Sequence, residues 1–300
     1  MVKFAFSDKY LYKLPEGHRF PIEKYELVKE QLLHEGTIEP SQLYDPGLAT
    51  DDQILKVHTK DYWQSLRTLT LDKKAVRKIG LPVTEKSLNR ARNSVAGTIS
   101  AAHNALKSSV GVNLAGGTHH AYADHGEGFC VLNDIAISAT DLINSRLVHK
   151  VLVVDLDVHQ GNGTAKIFEN NPDVFTFSMH GENNYPLHKE QSDLDIPLPY
   201  QCDDDTYLRL LQSHLPDLIN SVQPDIIYFQ AGVDVLASDK LGKLSLTRDG
   251  IKMRDQIVIS SCKEQSIPLV ITMGGGYSER LPDLVEAHCT TFRIAVSTYH

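Results

Sequence analysis

Cysteine is scarce in this chain: Cys130, Cys202, Cys262 and Cys289 are four in 300 residues, and no two form a C-x-x-C pair. That pattern excludes a zinc knuckle and a disulfide frame, and it fits reduced thiols in an intracellular protein. No apolar run reaches the ~18 residues of a membrane-spanning helix. The opening stretch, MVKFAFSDKYLYKLPEGH, carries charges where a secretory signal would be apolar. A long Lys/Arg run is missing as well. With 30 basic and 38 acidic residues the formal net charge is −8, which argues against direct nucleic-acid binding and favours basic or neutral substrates. No G-x-S-x-G elbow is present, so a serine hydrolase is disfavoured. Linkers, internal repeats and low-complexity stretches are absent too. The expectation is one domain over residues 1–300, cytoplasmic, with no membrane contact.

What the chain does have is ordinary globular material, 41% hydrophobic and 23% charged, enough for a sizeable core. Lys3–Ser7 reads as an opening strand, Ile22–His34 as a helix stopped by Gly36, and His58–Leu66 as a short helix holding the single Trp, Trp63. The charged residues 69–83 read as an exposed loop near a site mouth. Glu85–Lys107 is a long Ala-rich helical stretch. From there the pattern is strand, polar strand end, helix. Strands are expected at Val110–Ala115, Val151–Val154, Val174–Ser178, Asp225–Gln230 and Pro268–Met273, with a last one at Phe292–Ser297. Helices are expected at Ile135–Ile143, Thr164–Glu169, Asp205–Ser221 and Arg248–Lys263. Such alternation predicts an α/β protein whose mostly parallel central sheet is covered by helices on both faces.

In open α/β sheets ligands bind outside the carboxyl ends of the strands. Five predicted strand ends carry His119–His120, Asp155/Asp157/His159, Ser178–Met179, Asp234 and Tyr277. In VLVVDLDVHQGNG the spacing of two puts Asp155, Asp157 and His159 on one side of an extended segment. One Asp alone would read as a helix cap; the trio reads as a metal site. Asp157, His159 and Asp234 would supply three ligands and leave a fourth position open, as in catalytic zinc sites, although one nitrogen and two carboxylates also suit Fe2+ or Mn2+. Asp155 is placed to hold a histidine from behind. Beside a metal-activated water, the pair His119–His120 reads as general acid/base machinery. Tyr277, after three glycines, reads as a donor to a developing oxyanion.

Taken together and in this order, GGTHHAYADHGEGFCVLND, DLDVHQGNGT, QAGVD and GGGY resemble the zinc-dependent histone deacetylase superfamily with its arginase/deacetylase fold. HQGNG, in place of the commoner HHGDG, is similar to the class IV branch and bacterial deacetylase-like amidohydrolases. The resemblance implies hydrolysis of an ε-N-acetyl- or acyl-lysine amide. It makes Asp157, His159 and Asp234 the ligands of Zn2+, with Fe2+ as the alternative. It implies His120 as general base and then acid, His119 paired with Asp155 in an electrostatic role, and Tyr277 polarising the acyl carbonyl. It places Gly128 as acceptor of the substrate amide N–H, and Phe129 and Tyr185 along the lysine methylenes. A structural K+ would be held by Asp155, Asp157, His159, Ser178 and Met179, with a second cation near Phe168, Asn171 and Val174.

Three departures stand out. Asn162 replaces the Asp that partners the second histidine in many members, and a neutral amide raises the His120 pKa less than a carboxylate would. Thr118 stands where many relatives carry a large aromatic beside the acyl end, which suggests tolerance of longer acyl groups. Residues 69–83 offer no secure counterpart of the rim carboxylate that many deacetylases use to grip a peptide backbone. The partner is therefore an acyl-lysine protein or peptide, or a small acylated amine such as an acetylpolyamine hydrolysed on the same site. A non-catalytic acyl-lysine-binding protein is the other alternative. A two-manganese ureohydrolase is disfavoured, since Gly161 stands where a further carboxylate would be needed.

Overall fold

The computed structural model describes residues 1–300. Its strands are β1 (Lys3–Ala5), β2 (Leu43–Tyr44), β3 (Val110–Asn113), β4 (Val151–Asp155), β5 (Val174–Gly181), β6 (Leu194–Leu198), β7 (Ile226–Gln230) and β8 (Leu269–Thr272). The helices are α1 (Lys24–His34), α2 (Asp51–Ile54), α3 (Lys60–Arg67), α4 (Lys73–Ile79), α5 (Glu85–Ser108), α6 (Asp134–Asn144), α7 (Asn162–Phe168), α8 (Asp204–Val222), α9 (Arg248–Glu264) and α10 (Leu281–Thr298). All eight strands form one sheet in the order β2-β1-β3-β8-β7-β4-β5-β6, and every pairing is parallel.

Period-two alternation assigns each strand's side chains to opposite layers. In β4, Val151 and Val153 pack with Ala101, Ala105, Ala136 and Leu142 beneath α5 and α6. Leu152 and Val154 instead join the larger core beneath α1, α8, α9 and α10. Burial on both faces explains why the central strands are continuous apolar runs. No helix is long and apolar enough to cross a membrane. All four cysteines are buried and free.

The structure corrects two expectations. Phe292–Ser297 is the last part of helix α10, not a strand. The short alternation of Phe292, Ile294 and Val296 mimicked a strand, but Leu284, Val285, His288, Cys289, Phe292, Ala295 and Val296 are buried at helical spacing. Residues 69–83 contain α4, whose Asp72 cap accepts from the Lys74 and Ala75 N–H groups and whose end is set by Gly80 at φ 75°. Two edge strands, β2 and β6, were not expected. One is only two residues long, and the other carries Pro197, which edge strands tolerate.

Candidate active site

The carboxyl ends of β3, β4, β7 and β8 converge at one rim of the sheet. There Asp157, His159 and Asp234 are fully buried, with their potential ligand atoms within 4.8 Å of one another. His159 turns Nδ1 toward both carboxylates, 3.0 Å from Asp157 Oδ1 and 3.1 Å from Asp234 Oδ2. Burial, and then the neighbouring Asp157 charge, push the Asp234 carboxyl up to about 7. Two buried carboxylates facing one imidazole nitrogen are a donor set that a divalent cation would neutralise. The backbone leaves room for such an ion. A Cβ at Gly275 would lie 2.0 Å from Asp234 Oδ2 and 2.6 Å from Asp157 Oδ2, and one at Gly232 would lie 2.2 Å from Asp157 Oδ2. Peptide N–H groups orient the two carboxylates: Gly275 donates to Asp157 Oδ2 at 2.7 Å, and Val158 to Asp234 Oδ1 at 2.9 Å. The residues fit a metal.

The histidines follow β3 in a loop tied down by Asp134, the first residue of α6, which accepts from the Gly117 and Thr118 N–H groups at 3.0 and 2.7 Å. His119 Nδ1 lies 2.7 Å from Asp155 Oδ2. Burial opposes protonation of His119, but the charges of Asp155 and Asp157 outweigh it and raise its pKa to about 9. His120 goes the other way. Burial, then the charges of His119 and His159, hold it well below 6.5. Its Nδ1 meets Asn162 Oδ1 at 2.6 Å, which leaves Nε2 for the pocket. Asn162 in turn donates Nδ2 to Glu127 Oε1 at 2.6 Å and to Tyr122 Oη at 3.0 Å. Burial alone would raise the Glu127 pKa. Hydrogen bonds from His125, Lys78, Tyr185 and Asn162 outweigh that effect and keep the carboxylate ionised.

Tyr277 is carried into the site by the GGGY turn after β8. Burial, then the charges of Asp234 and Asp157, hold its phenol well above 10, so the hydroxyl keeps its proton. Phe129, its N–H given to Ile79 O at 2.7 Å, packs its ring 5.8 Å from that of Tyr277. Gly128 passes so close to His120 that a Cβ there would lie 2.5 Å from Cδ2. Tyr185, half-exposed, stands edge-on to His120 with centroids 5.0 Å apart. Together these walls enclose a cavity of about 280 Å³ with His120, His159 and Tyr277 at its floor.

A recess of only about 30 Å³ lies further in, lined by Thr118, Phe20, Tyr25 and Arg90 among others. Thr118 Oγ1 lies 2.5 Å from both Leu132 O and Asp134 Oδ1, the two acceptors open to its single hydroxyl proton. The recess is continuous with the main cavity, sharing His120, Gly128, Phe129, His159 and Tyr277 with it.

Of the expected monovalent-cation residues, Ser178 is the register partner of Asp155 across β4 and β5, with Met179 next in line. Phe168, Asn171 and Val174 cluster at the opposite end of β5, where Asn171 N–H donates to Phe168 O at 2.8 Å. A side chain at 161 would meet Asp155 Oδ2 at 2.3 Å, which explains the glycine and leaves no space for the further carboxylate of a two-manganese site.

Three contributors escaped sequence reasoning. Arg254, wholly buried, reaches from α9 to the carbonyls of Leu156 and Gly232 at 3.2 and 2.5 Å, bracing both ligand-bearing segments. Lys24, also wholly buried, donates to Gly274 O at 3.0 Å beneath the GGGY turn, and burial lowers its pKa to about 8. Glu127 is the third. A basic or acidic residue among apolar helix neighbours was the only available sign of the first two. The mouth corrects a further expectation: despite the net charge of −8, Arg19, Arg77 and Lys78 line it and no carboxylate does.

The all-parallel sheet with a buried Asp/His/Asp cluster at its carboxyl edge places the chain in the arginase/deacetylase superfamily. The solved HDA15 HD domain shares the fold, with TM-score 0.82 and 22% identity over 99% of this chain and 88% of that one. A family model described as the histone deacetylase domain matches residues 18–292, and the chain belongs to that family of deacetylases. It is 44% identical to an uncharacterized protein of Picosynechococcus sp. over 98% of each chain. It is 30% identical to Histone deacetylase 2 of Arabidopsis thaliana, over 87% of this chain and 70% of that protein. With the acetoin utilization protein AcuC of Staphylococcus aureus it shares 29% identity over 91% of this chain and 76% of that one.

Proposed function

We propose that the chain is a metal-dependent lysine deacetylase of the cytoplasm, hydrolysing an ε-N-acetyl-lysine amide to the amine and acetate. The observation that carries this reading is the convergence, on one cavity floor, of a metal-ligand triad, a neutral histidine and a protonated phenol. Asp157, His159 and Asp234 would hold Zn2+, or Fe2+, which supplies Lewis-acid polarisation of the carbonyl and a water whose pKa is lowered toward ~7.

The rest falls to the chain. His120 is neutral at pH 7 and oriented by Asn162, so Nε2 accepts the proton of the attacking water and later delivers it to the leaving amine. His119, paired with Asp155, stays cationic and favours negative charge developing nearby. The Tyr277 hydroxyl has no partner within the chain and donates to the oxyanion. The Gly128 carbonyl accepts the amide N–H, while Phe129 and Tyr185 flank the methylenes and exclude water. Asp155, Asp157, His159, Ser178 and Met179 would keep K+ behind the triad.

The test is turnover of acetyl-lysine peptides with added zinc or with chelator, on wild type and Tyr277→Phe. The expected result is chelator-sensitive hydrolysis that drops about 10²–10³-fold in the variant. Metal-loaded, folded protein that binds these peptides without hydrolysing them would point instead to a binding role.

A further inference from the structure

We infer that the mouth of this site selects acyl-lysines set among acidic side chains, an inference that rests on the deacetylase reading and names its substrate class. Arg19 and Arg77 are exposed and line the opening of the cavity, and their guanidinium groups make no ion pair or hydrogen bond within the chain. Lys78 lies beside them, but its charge is engaged: Nζ is 2.6 Å from Glu127 Oε2 and 2.9 Å from His125 Nε2. Two guanidinium groups therefore face solvent at the rim uncompensated.

The helix that presents Arg77 is itself unusual. α4 reads KKAVRKI, with four cations in seven residues and no acid after its cap. Lys73 and Arg77, and Lys74 and Lys78, are like-charge pairs four apart, an arrangement that destabilises a helix in isolation. An anionic ligand relieves that repulsion.

The patch is not a loose surface feature. Lys78 O and Ile79 O accept the N–H groups of Gly128 and Phe129 at 3.1 and 2.7 Å, so α4 is fastened to the wall of the cavity. His18 Nε2 meets Gly80 O at 3.0 Å, which fixes the Arg19 loop to the end of the same helix. A peptide whose acyl-lysine enters the cavity must lay its flanking residues across these two arginines. Glutamate or aspartate there forms bidentate contacts with guanidinium, whereas lysine or arginine is repelled. Cationic acetylpolyamines and strongly basic tails are the wrong charge for this opening.

The experiment uses full-length, zinc-loaded protein and three acetyl-lysine peptides of equal length, flanked by Glu, Ala or Lys, with acetylputrescine as the small-amine arm. Both kcat/KM and binding, by fluorescence anisotropy of the same labelled peptides, are measured at low and high salt. The expected order is Glu, then Ala, then Lys, with about a five- to ten-fold span at low salt that contracts as salt screens it. Arg77→Glu, which leaves Arg19 opposed by one carboxylate, levels the Glu- and Lys-flanked peptides, and adding Arg19→Glu reverses their order. Binding and turnover indifferent to flanking charge, or acetylputrescine and the Lys-flanked peptide preferred, overturn the inference while leaving the deacetylase reading intact. Glu-flanked peptides that bind preferentially without turnover support the mouth's selectivity and overturn the deacetylase reading instead.

Discussion

Asn162 presents its side-chain oxygen to His120, Oδ1 lying 2.6 Å from Nδ1, because its amide nitrogen is committed to the Glu127 carboxylate at 2.6 Å. The nearest carboxylate, Glu127, is one step removed from this histidine, with the Asn162 amide in between. The imidazole keeps the tautomer it needs and loses the charge that would raise its pKa.

Moving the charge back tests this arrangement. Asn162→Asp alone places two carboxylates in contact, and they will share a proton. Asn162→Asp combined with Glu127→Gln exchanges amide and carboxylate. In the double variant the imidazolium is favoured, so the acid limb of kcat/KM against pH moves up by about one unit. An unmoved limb in the double variant would refute the argument.

Removing the metal should leave a pH signature in stability. Asp234, at about 7, titrates above its ordinary 3.8. A carboxyl whose folded pKa is raised binds more protons folded than unfolded between those values, so the metal-free protein loses stability as pH rises from ~4 to ~7. A divalent cation held by the triad would take the place of that proton. Thermal melts are therefore expected to show a larger zinc-induced rise in Tm at pH 7.5 than at pH 5; equal increments would rule out this linkage.

Arg254 provides a third test. It pairs with Asp255, Nη2 to Oδ1 2.7 Å, with neither side chain exposed. Arg254→Met strands a buried carboxylate and costs about 3–5 kcal/mol in chemical denaturation. Adding Asp255→Leu restores most of that loss. Zinc affinity in the double variant stays about 10–100-fold below wild type, because the Leu156 and Gly232 carbonyls have lost their brace. Recovery of affinity together with stability would show the brace to be dispensable.

The inner recess predicts the acyl preference. The part of the cavity beside Thr118 is narrow, about 30 Å³, which favours a methyl over a longer chain. Acetyl-lysine peptides are expected to turn over faster than octanoyl-lysine peptides of the same sequence. The opposite ranking would mean that Phe20, Tyr25 or Arg90 gives way.

Most of the fold was legible because the central strands are buried on both faces and end in polar groups. Asp157 and His159 could be placed from their spacing alone, and Asp234 and Tyr277 from their position just past predicted strands. What could not be read was fixed by contacts distant in sequence. Nothing local distinguishes Arg254 from the other cations of α9, or Lys24 from those of α1, until the carbonyls they reach are in place. Glu127 stood inside a motif whose glycine and phenylalanine drew the attention. The charge of the mouth was hidden by the overall balance, since −8 for the whole chain says nothing about where two arginines lie. Phe292–Ser297 shows that six residues of alternation are too few to decide between strand and helix.

The strand order has a consequence for how the protein matures. β7 lies between β4 and β8, so the loop bearing Asp234 is flanked by the loop bearing Asp157 and His159 and by the turn bearing Gly275 and Tyr277. These segments meet only with β7 in its slot between β4 and β8. A nascent or misassembled sheet has no complete set of ligands to offer. A divalent ion held by Asp157, His159 and Asp234 would therefore be bound only by a sheet whose strands stand in this order.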